Sequence, residues 1–402
     1  MKIVIMKFGG TSVADLEKIQ NVSKIVSDSV RDFKIVVVLS AMAGATNELQ
    51  KLIDKVNFTS LPEQDLVITS GEQVTVGLLS MILNKQGIKS IPLLGWQVPI
   101  ITDSNHEKAK ILNINNSKIL NCFEDHDVVV LAGFQGVSKE GMVTSLGRGG
   151  SDTTAVAIAA SLNAERCDIY TDVEGVYSTD PNIDKSAKKI DKISYEEMLE
   201  MSSMGAKVLQ TRSVELAMKN NLTLQVLSSL TTKPGTLIVN EKKLIEKEVV
   251  SGVTYSKNES KITISGVPDK PGISAIIFGI LAKKNINVDM IVQNISQDGV
   301  SANLTFTVQS RDTDVSKDEL EKNIAKIKYK HISTDTDVTK ISVVGMGMMS
   351  QTGVAEKMFK TLASEKINIL AISTSEIKIS VLIGKKFTEQ AVKALHSVYK
   401  LN

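Results

Sequence analysis

A lysine and two glycines come together near the start of the chain, in the segment KFGGTS. Lys7 ends an apolar run, and Gly9 and Gly10 let backbone N–H groups approach an anion without obstruction by a Cβ atom. Thr11 or Ser12 is expected to cap the helix that follows, whose N-terminal dipole favours negative charge. The Walker A motif places its lysine after the glycines, so this segment is not a P-loop. It suits a bound phosphate, and equally a tight turn with a surface lysine.

A second glycine-rich stretch, TSLGRGGSDTTAVAIA, surrounds Arg148 with three glycines and continues as a helical pattern. A guanidinium group is suited to bidentate recognition of a carboxylate. Ser151 or Asp152 is expected to cap the helix, and a cap alone would explain these two residues. A cap does not require glycines on both sides of an arginine. The pattern therefore favours a loop that binds the carboxylate of a ligand.

The segment YTDVEGVYSTDP places an aromatic ring and carboxylates beside a glycine. Thr171, Asp172, Tyr177 and Asp180 are the side chains that could receive a nucleoside. Taken alone, the segment is better explained as an ordinary polar loop in which Tyr177 fills space.

Three more segments carry polar side chains near glycines. In ITSGEQVT, Glu72 lies at the start of a helix, where the dipole favours an acid and where an ammonium ligand would also be stabilised. In VVLSAMAGATNEL, Ser40 and Thr46 flank a glycine turn that follows a strand. In SSMGAKVLQTRS, Lys207 follows a glycine, although a lone lysine is more often a solvated surface residue.

Short apolar strands alternate with helical patterns up to about Asn240. Continuous apolar runs such as KIVVVL are typical of strands buried on both faces. The alternation predicts an α/β fold with a largely parallel sheet between helices. Ligands bind such sheets at the carboxyl ends of the strands, where the loops described above fall. Together these loops require a phosphate, a carboxylate and an ammonium group, which an amino acid and a nucleotide would supply.

The last third of the chain repeats itself. KITISGVPDKPGISAII, from Lys261, is similar to KISVVGMGMMSQTGVAEK, from Lys340, with Gly272 matching Gly353. Two copies of this length predict a pair of small domains that pack together, not a solenoid. GMGMMS is read as a turn of the repeat, because its counterpart GVPDKP has no dinucleotide glycine pattern. The predicted domains are 1–240, a joining linker and strand at 241–260, and the copies at 261–335 and 336–402.

Composition excludes several functional classes. The 47 basic and 45 acidic side chains give a net charge of +2, which provides no electrostatic argument for nucleic acid or an anionic membrane. Cys122 and Cys167 are isolated and the 4 histidines lie away from the glycine motifs, so a zinc site is not expected. We find neither a signal peptide nor an apolar run of membrane-spanning length, and expect a cytoplasmic protein with reduced thiols.

Taken together, KFGGTSVAD, SGEQVT, GFQG, TSLGRGGSDTTAVA and YTDVEGVYSTDP resemble the aspartate kinases of the amino-acid kinase superfamily. The duplicated tail resembles their paired βαββαβ ACT domains. The resemblance implies transfer of phosphate from ATP, with Mg²⁺, to the side-chain carboxylate of L-aspartate, giving 4-phospho-L-aspartate. This is the first step of lysine, threonine and methionine synthesis. It also implies feedback by an end-product amino acid and a homodimer or higher oligomer formed through the ACT domains, while a separate short regulatory subunit stays open.

The resemblance also assigns roles to residues, with Lys7 catalytic and Asp152 orienting it. The ATP site would comprise Lys7, Gly9, Gly10, Ser12, Thr171, Asp172, Tyr177, Asp180 and Lys207. The aspartate site would comprise Ser40, Thr46, Glu72, Arg148 and Ser151. The effector site would comprise Asp269, Ser274, Asn287, Val288, Asp289 and Gln293 of the first ACT copy with Ala355, Asn368 and Ile369 of the second.

The chain departs from the pattern of this family in two places. QTGVA, from Gln351, stands where many relatives have His-Pro-Gly-Val-Thr, and loss of the hydroxyl at Ala355 puts threonine sensing in doubt. VLQTR, from Val208, stands where VLHPR is more common.

Two alternatives remain. One is a kinase for glutamate or N-acetylglutamate, which the ammonium partner Glu72 and the ACT tail argue against. The other is an amino-acid sensor with an inactive kinase domain, which the intact Lys7, Arg148 and Asp152 argue against.

Overall fold

The computed structural model describes residues 2–57, 60–203, 208–244, 249–296, 299–349 and 351–402. These residues form two compact units. The first unit contains 2–176, Lys189–Ser203 and 208–244, and the second contains Tyr177–Lys188 and 249–402. The chain therefore passes from the first unit into the second at Tyr177–Lys188 and then re-enters the first unit at Lys189.

Strands and helices alternate through most of the first unit. Its strands are β1 (Ile3–Phe8), β2 (Lys34–Leu39), β3 (Ser90–Leu93), β4 (Ile100–Thr102), β5 (Ile111–Ile114), β6 (Val128–Ala132), β7 (Gln135–Ser138), β8 (Val143–Ser145), β9 (Arg166–Thr171), β10 (Lys192–Ser194), β11 (Leu224–Ser228) and β12 (Thr236–Val239). Its helices are α1 (Leu16–Ser29), α2 (Ala45–Val56), α3 (Leu61–Ile68), α4 (Gly71–Lys85), α5 (Ser117–Asp125), α6 (Gly150–Ser161), α7 (Tyr195–Ser203) and α8 (Thr211–Lys219).

The predicted parallel sheet is confirmed. Its strand order is β10-β12-β11-β9-β1-β2-β6-β3, and each pair is parallel except β11 with β12. The apolar runs of β1, β2 and β6 are buried along almost their whole length, as strands covered on both faces must be. On one face, Val22 of α1 and Leu79 of α4 pack into the core with Phe8 and Val37. A smaller second sheet has the strand order β5-β4-β7-β8.

One helical stretch of the first unit is strongly apolar. Within the described residues, Leu61–Lys85, which contains α3 and α4, is long and apolar enough to cross a membrane by length and composition alone. Val76, Leu79 and Leu83 of this stretch are buried in the core of the first unit. The fold therefore accounts for its apolar character.

The second unit contains the repeat. Its elements are β13 (Gly252–Pro268), α9 (Ile273–Lys283), β14 (Val288–Ile295), β15 (Ser301–Gln309), α10 (Thr313–Lys322), α11 (Ile324–Ile327), β16 (His331–Val344), α12 (Val354–Ser364), β17 (Ile369–Thr374), β18 (Lys378–Gly384) and α13 (Thr388–Val398). The strands form one antiparallel sheet in the order β14-β15-β13-β16-β18-β17. Gly272 and Gly353, which the repeat aligns, precede α9 and α12 with φ of +96° and +90°, where glycine is favoured.

The two copies share their longest strands. The first half of β13 pairs with the end of β16, from Gly252 opposite Val344 to Ser256 opposite Lys340. The second half of β13 pairs with β15. Val253 consequently lies in the core of the second copy, together with Ile341 and Met358. The stretch predicted as a joining strand thus supplies part of the second copy's sheet.

Candidate active site

The candidate site is a cavity of about 610 Å³ in the first unit. It lies at the carboxyl ends of the neighbouring strands β1, β2 and β6. The predicted site residues that line it are Lys7, Gly10, Ser40, Thr46, Glu72, Arg148, Ser151 and Asp152. The structure thus brings all five predicted aspartate-binding residues together with the predicted catalytic pair.

Lys7 and Asp152 form an ion pair in this cavity. The Lys7 Nζ atom lies 2.6 Å from Asp152 Oδ1, and each side chain is about one-tenth exposed. Lys7 belongs to the central strand β1, which fixes its backbone on both sides through β2 and β9. Asp152 lies in the first turn of α6, where the helix dipole stabilises its charge. The pair therefore presents an oriented ammonium group to the cavity.

Glu72 is a buried carboxylate with an unused oxygen. It lies in the first turn of α4, as predicted, and is 3% exposed. Its Oε1 accepts a hydrogen bond of 3.2 Å from the Ala41 N–H, while Oε2 has no partner within the described residues. Burial raises the pKa of Glu72 to about 7. A cationic ligand would satisfy both the free oxygen and the uncompensated charge.

The glycine loop before α6 adopts conformations that need glycine. Gly147 and Gly149 have φ of +76° and +70°, and a Cβ atom on Gly149 would lie 1.8 Å from Gln210 Cγ. Arg148, between them, is exposed along the cavity. The N-cap of α6 is Gly149, so the expectation that Ser151 or Asp152 caps the helix was wrong. Both lie inside the first turn, which points them into the cavity instead.

The first glycine pair is also set by close approach. A Cβ atom on Gly10 would lie 2.9 Å from the carbonyl oxygen of Ala41, the residue that donates to Glu72. The chain then forms a 3-10 turn, and α1 begins only at Leu16 with Asp15 as its N-cap. The expectation that Thr11 or Ser12 caps this helix was therefore wrong.

Ser12 belongs to a second cluster of the first unit. Its Oγ lies 2.7 Å from the Oγ of Ser229, and Ser229 donates to the carbonyl oxygen of Thr171 over 2.8 Å from its N–H. The Gly9 N–H donates to the Tyr170 carbonyl oxygen. The structure thus joins the KFGGTS loop to the end of β9, where Asp172 follows as an exposed residue. Ser229 was missed from the sequence because it lies in no glycine motif.

The other predicted ATP residues lie elsewhere. Tyr177 and Asp180 belong to the second unit, where Asp180 Oδ2 accepts a hydrogen bond of 2.8 Å from the Tyr255 hydroxyl. Lys207 lies outside the described residues. The nucleotide roles of these three residues stay predictions.

The segment Tyr177–Lys188 is tied to α13 by a buried histidine. His396 is fully buried, with Nε2 2.8 Å from Ser178 Oγ and Nδ1 3.1 Å from Asp184 Oδ2. Ser178 Oγ also donates to the Leu401 carbonyl oxygen. Burial lowers the pKa of His396, against the opposing effect of Asp184 and with a smaller lowering from Lys188.

We expect acid to destabilise the second unit through His396. A lowered pKa means that the folded chain binds fewer protons than the unfolded chain, so stability is lost as the pH falls below 6.5. Between pH 7.5 and 5.5, His396→Gln is expected to lose about 2–4 °C less of its melting temperature than the wild type. Calorimetry of the full chain measures the difference. Identical pH slopes for both proteins would contradict it.

The predicted effector residues are only partly gathered. Asp269, Ser274 and Gln293 line one small depression, in which Ser274 Oγ donates to Gln293 Oε1 over 3.2 Å. Asp289 instead forms an ion pair with the buried Lys340, with 2.6 Å between Oδ2 and Nζ. Asn287 and Val288 lie at the start of β14, Ala355 lies in α12, and Asn368 and Ile369 lie at the start of β17.

Several cavity residues were not predicted from the sequence. Asp65, Glu107, Phe134, Ser145 and Gln210 all line it. Asp65 lies in α3, seven residues before Glu72, and another acidic residue in the same apolar stretch was the signal available. Gln210 is the residue that replaces the histidine of the commoner VLHPR segment, and it packs against Gly149.

Comparison with known proteins gives a consistent result over the whole chain. The family model described as "Amino acid kinase family" matches residues 2–228, and models described as "ACT domain" match 262–325 and 341–399. An aspartate kinase of Pseudomonas fluorescens (strain SBW25) is 48% identical over 411 residues, which cover 100% of this chain and 98% of the relative. An aspartokinase of Helicobacter pylori (strain J99) is 46% identical over 408 residues, covering 100% of both.

Solved structures agree. E. coli aspartokinase III in complex with aspartate and ADP, in its R-state, has a TM-score of 0.83 and 26% identity, and the match covers 99% of both chains. The same enzyme in complex with lysine and aspartate, in its T-state, has a TM-score of 0.78 over the same share of both chains.

Proposed function

This chain belongs to the amino acid kinase family and is an aspartate kinase, and from that premise we propose that it transfers the γ-phosphoryl group of ATP to the side-chain carboxylate of L-aspartate, giving 4-phospho-L-aspartate. The observation that supports this most is the cavity of about 610 Å³ that gathers the Lys7–Asp152 pair, Glu72 and Arg148. These groups match the charges of an amino acid and of the phosphoryl group that it must meet.

Aspartate would be held at its two α-substituents. The free Oε2 of Glu72 suits the ammonium group, because it is buried and has no partner within the described residues. The guanidinium of Arg148 suits the α-carboxylate, which it can bind through two parallel hydrogen bonds. Ser40, Thr46 and Ser151 add short polar side chains around the same space. The side-chain carboxylate is then left to face Lys7.

The reaction needs no general base. A carboxylic acid with a pKa of about 3.9 is already ionised at neutral pH, so the nucleophile is ready. This agrees with a cavity that no histidine lines within the described residues. The barrier is the approach of an anion to an anionic phosphoryl group, and positioning with positive charge must lower it. Lys7 would neutralise the transferring group, and Asp152 would orient Lys7 through the 2.6 Å contact.

Mg²⁺ would be carried by the nucleotide. The described residues contain no cluster of three or more His, Cys, Asp or Glu side chains that could hold a metal ion. Mg²⁺ commonly keeps several waters and is bound through substrate phosphates with one or two carboxylates. Such an ion does not require a cluster of three protein side chains. When bound, the ion would screen charge on the phosphates. The loop of Gly9 and Gly10 and the serine cluster at Ser12 would face them, while the Gly9 N–H itself already donates to the Tyr170 carbonyl oxygen.

The second unit would regulate this activity. We propose that an end-product amino acid, lysine or threonine, binds near the depression of Asp269, Ser274 and Gln293. The two ACT matches support this, as does the lysine complex of the E. coli relative. The exposed Ile291 and Ile295 on the edge strand β14 support association of subunits through this unit. An activity titration with lysine, threonine and both together tests the regulation.

The remaining assignments follow from the same premise. We propose the first step of lysine, threonine and methionine synthesis as the pathway role and the cytoplasm as the location, in keeping with the free, buried thiols of Cys122 and Cys167. We also propose that the catalytic domain spans 1–240, the joining segment 241–260, and the two regulatory domains 261–335 and 336–402.

One assay separates this function from its alternatives. Hydroxylamine traps an acyl phosphate as a hydroxamate, so product should form only with ATP and aspartate together. Glutamate and N-acetylglutamate in place of aspartate should give little product. Product formation with either of them at the rate of aspartate, or none with any acceptor, would overturn the proposal.

Arg148 should act on aspartate affinity. Arg148→Ala is expected to raise the KM for aspartate by about 10²-fold, because a bidentate charged contact with the α-carboxylate is lost. The KM for ATP should stay within a factor of about two. Steady-state kinetics with each substrate varied measures both constants, and Arg148→Lys, which keeps the charge but loses the fork, should lie between. A rise confined to the KM for ATP would contradict the assignment.

A further inference from the structure

We propose that Asp65 is a positioning residue for aspartate binding, which sets the glycine loop that carries Arg148 relative to Glu72. The inference rests on the proposed function of the cavity. Asp65 is fully buried in α3 and lines that cavity. Burying a carboxylate costs free energy unless hydrogen-bond donors surround it. The donors around Asp65 therefore identify the segments that this side chain holds in place.

Four donors converge on the Asp65 carboxylate. The Ser145 Oγ lies 2.5 Å from Oδ1, and the Ser145 N–H donates to Oδ2 over 3.0 Å. The Glu107 N–H reaches both oxygens at 3.2 Å, and His106 Nδ1 lies 2.8 Å from Oδ2. Two of these donors are backbone groups far away in the sequence. One carboxylate thus fixes the end of β8 and the 103–109 loop against α3.

Both anchored segments support the glycine loop. Ser145 is the last residue of β8 and is followed within three residues by Arg148. Glu107 packs on Gly147, where a Cβ atom would lie 2.8 Å from the Glu107 carbonyl oxygen. Arg148 itself sits between two glycines with positive φ, and such a backbone has little stiffness of its own. Its placement must therefore come from the neighbours on either side.

A second charged side chain binds backbone carbonyl groups of the same two segments. The guanidinium of Arg212 donates to the carbonyl oxygens of Leu146 and Ala109, each over 2.9 Å. The Asp65 carboxylate accordingly binds the Ser145 N–H, and the Arg212 guanidinium binds the carbonyl group of the next residue, Leu146. Removing either one should let the loop move without unfolding the sheet that carries Lys7.

The turn between α3 and α4 connects this anchor to the ammonium partner. Glu72 follows Asp65 by seven residues, and the intervening turn is fixed because Thr69 Oγ1 donates to the Asp65 carbonyl oxygen and Thr69 accepts from Gln135 Nε2. Asp65 is therefore linked by hydrogen bonds to the segments that carry the two groups expected to bind the amino acid. We infer that it sets the separation between Glu72 and Arg148, which must match that between an α-ammonium and an α-carboxylate group.

Kinetics of Asp65→Asn test the inference. The amide keeps the size of the side chain but turns one acceptor into a donor that faces backbone N–H groups. We expect the KM for aspartate to rise by 10- to 100-fold, since a displacement of about 1 Å costs up to 10²-fold. The KM for ATP should stay within a factor of two, and kcat should fall less than the KM for aspartate rises. Calorimetric titration with aspartate gives the same comparison if turnover is low.

Matched variants separate positioning from folding. Asp168→Asn removes an equally buried carboxylate of β9 that is bonded to Arg166 and does not line the cavity, so it should lower stability and leave the KM for aspartate unchanged. Ser145→Ala and Arg212→Lys each remove part of the same anchorage, and should raise that KM to a smaller extent. They also stand in for Asp65→Asn if that variant does not fold.

The outcomes are distinguishable. Wild-type protein without aspartate-dependent product would overturn the proposed function itself. An active wild type with unchanged aspartate affinity in Asp65→Asn, or in both substitute variants, would overturn the positioning role. Equal rises in both Michaelis constants, or a rise in Asp168→Asn of the same size, would overturn it as well.

Discussion

Lys7→Met is expected to lower kcat by about 10³-fold and to leave the KM for aspartate within a factor of about two. Methionine fills a similar volume on β1, so the buried strand should keep its register with β2 and β9. The ammonium group that pairs with Asp152 would be lost, and the developing charge on the phosphoryl group would lose its neutralising partner. Single-turnover and steady-state measurements of hydroxamate formation give both constants.

A second lysine of the same sheet supplies the control. Lys34 of β2 also forms an ion pair, with 2.8 Å to Asp127, but it lies at the opposite end of its strand from the cavity. Lys34→Met should therefore keep kcat within a factor of about two. Equal losses of kcat and aspartate affinity in Lys7→Met would assign Lys7 to substrate binding instead of catalysis.

The sheet was predictable because burial on both faces leaves a pattern in the sequence. After its first residue, Lys34, KIVVVL has no polar residue to face water, which is typical of a central strand. The meeting of Lys7 with Ser40 followed from one topological rule, since the carboxyl ends of neighbouring parallel strands share one edge. Glu72, at the start of α4, and Arg148, after β8 of the small sheet, do not follow such strands, so the rule does not account for their arrival. The pairing of Lys7 with Asp152 came from the family resemblance, because nothing in the residues themselves links positions so far apart.

The helix starts were predicted incorrectly for a physical reason. Serine and aspartate are favoured at N-caps, but a glycine with positive φ can also begin a helix when a tight loop precedes it. Gly149 does so before α6, and Ser151 and Asp152 consequently reach the cavity. In the KFGGTS loop, a 3-10 turn precedes α1, and Asp15 is the N-cap of that helix. Polar residue type alone could not distinguish capping from ligand binding.

Other features depend on partners that sequence patterns do not identify. Asp65 carries no glycine signature, and two of its four donors are backbone groups 42 and 80 residues away. The strands β13 and β16 each contribute to both ACT copies. The alternation of apolar residues does not specify which strands pair with each other. Tyr177–Lys188 belongs to the second unit, and one of the contacts that join it there links Ser178 to His396, 218 residues away.

Glu72→Gln is expected to weaken aspartate binding and to stabilise the free protein at the same time. Loss of a buried charged partner for the ammonium group should raise the KM for aspartate by at least about 10²-fold, equivalent to about 3 kcal/mol or more. The amide oxygen can still accept from the Ala41 N–H, so the helix start is kept. Kinetics and denaturant unfolding of the same preparations measure the two effects.

The gain in stability should depend on pH with a definite sign. Burial raises the pKa of Glu72 from an ordinary value of 4.5 to about 7, so the folded chain binds more protons than the unfolded chain between these values. The contribution of Glu72 to stability is therefore lost as the pH rises through this interval. Glutamine does not ionise, and the advantage of the variant should grow from near zero below pH 4.5 to about 3 kcal/mol above pH 7.

The same titration should appear in substrate binding. Only ionised Glu72 attracts an ammonium group, so the wild-type KM for aspartate should fall as the pH rises towards and through 7, and the Glu72→Gln profile should be flat. Below pH 7, binding should also release a proton, which titrations in buffers of different ionisation enthalpy detect. Glu197→Gln alters another buried carboxylate of this unit that does not line the cavity, and should keep the wild-type profile. A variant that binds aspartate weakly but gains no stability above pH 7 would mean that Glu72 is already compensated in the free protein, and the unused oxygen would then not be the feature that selects a free amino group.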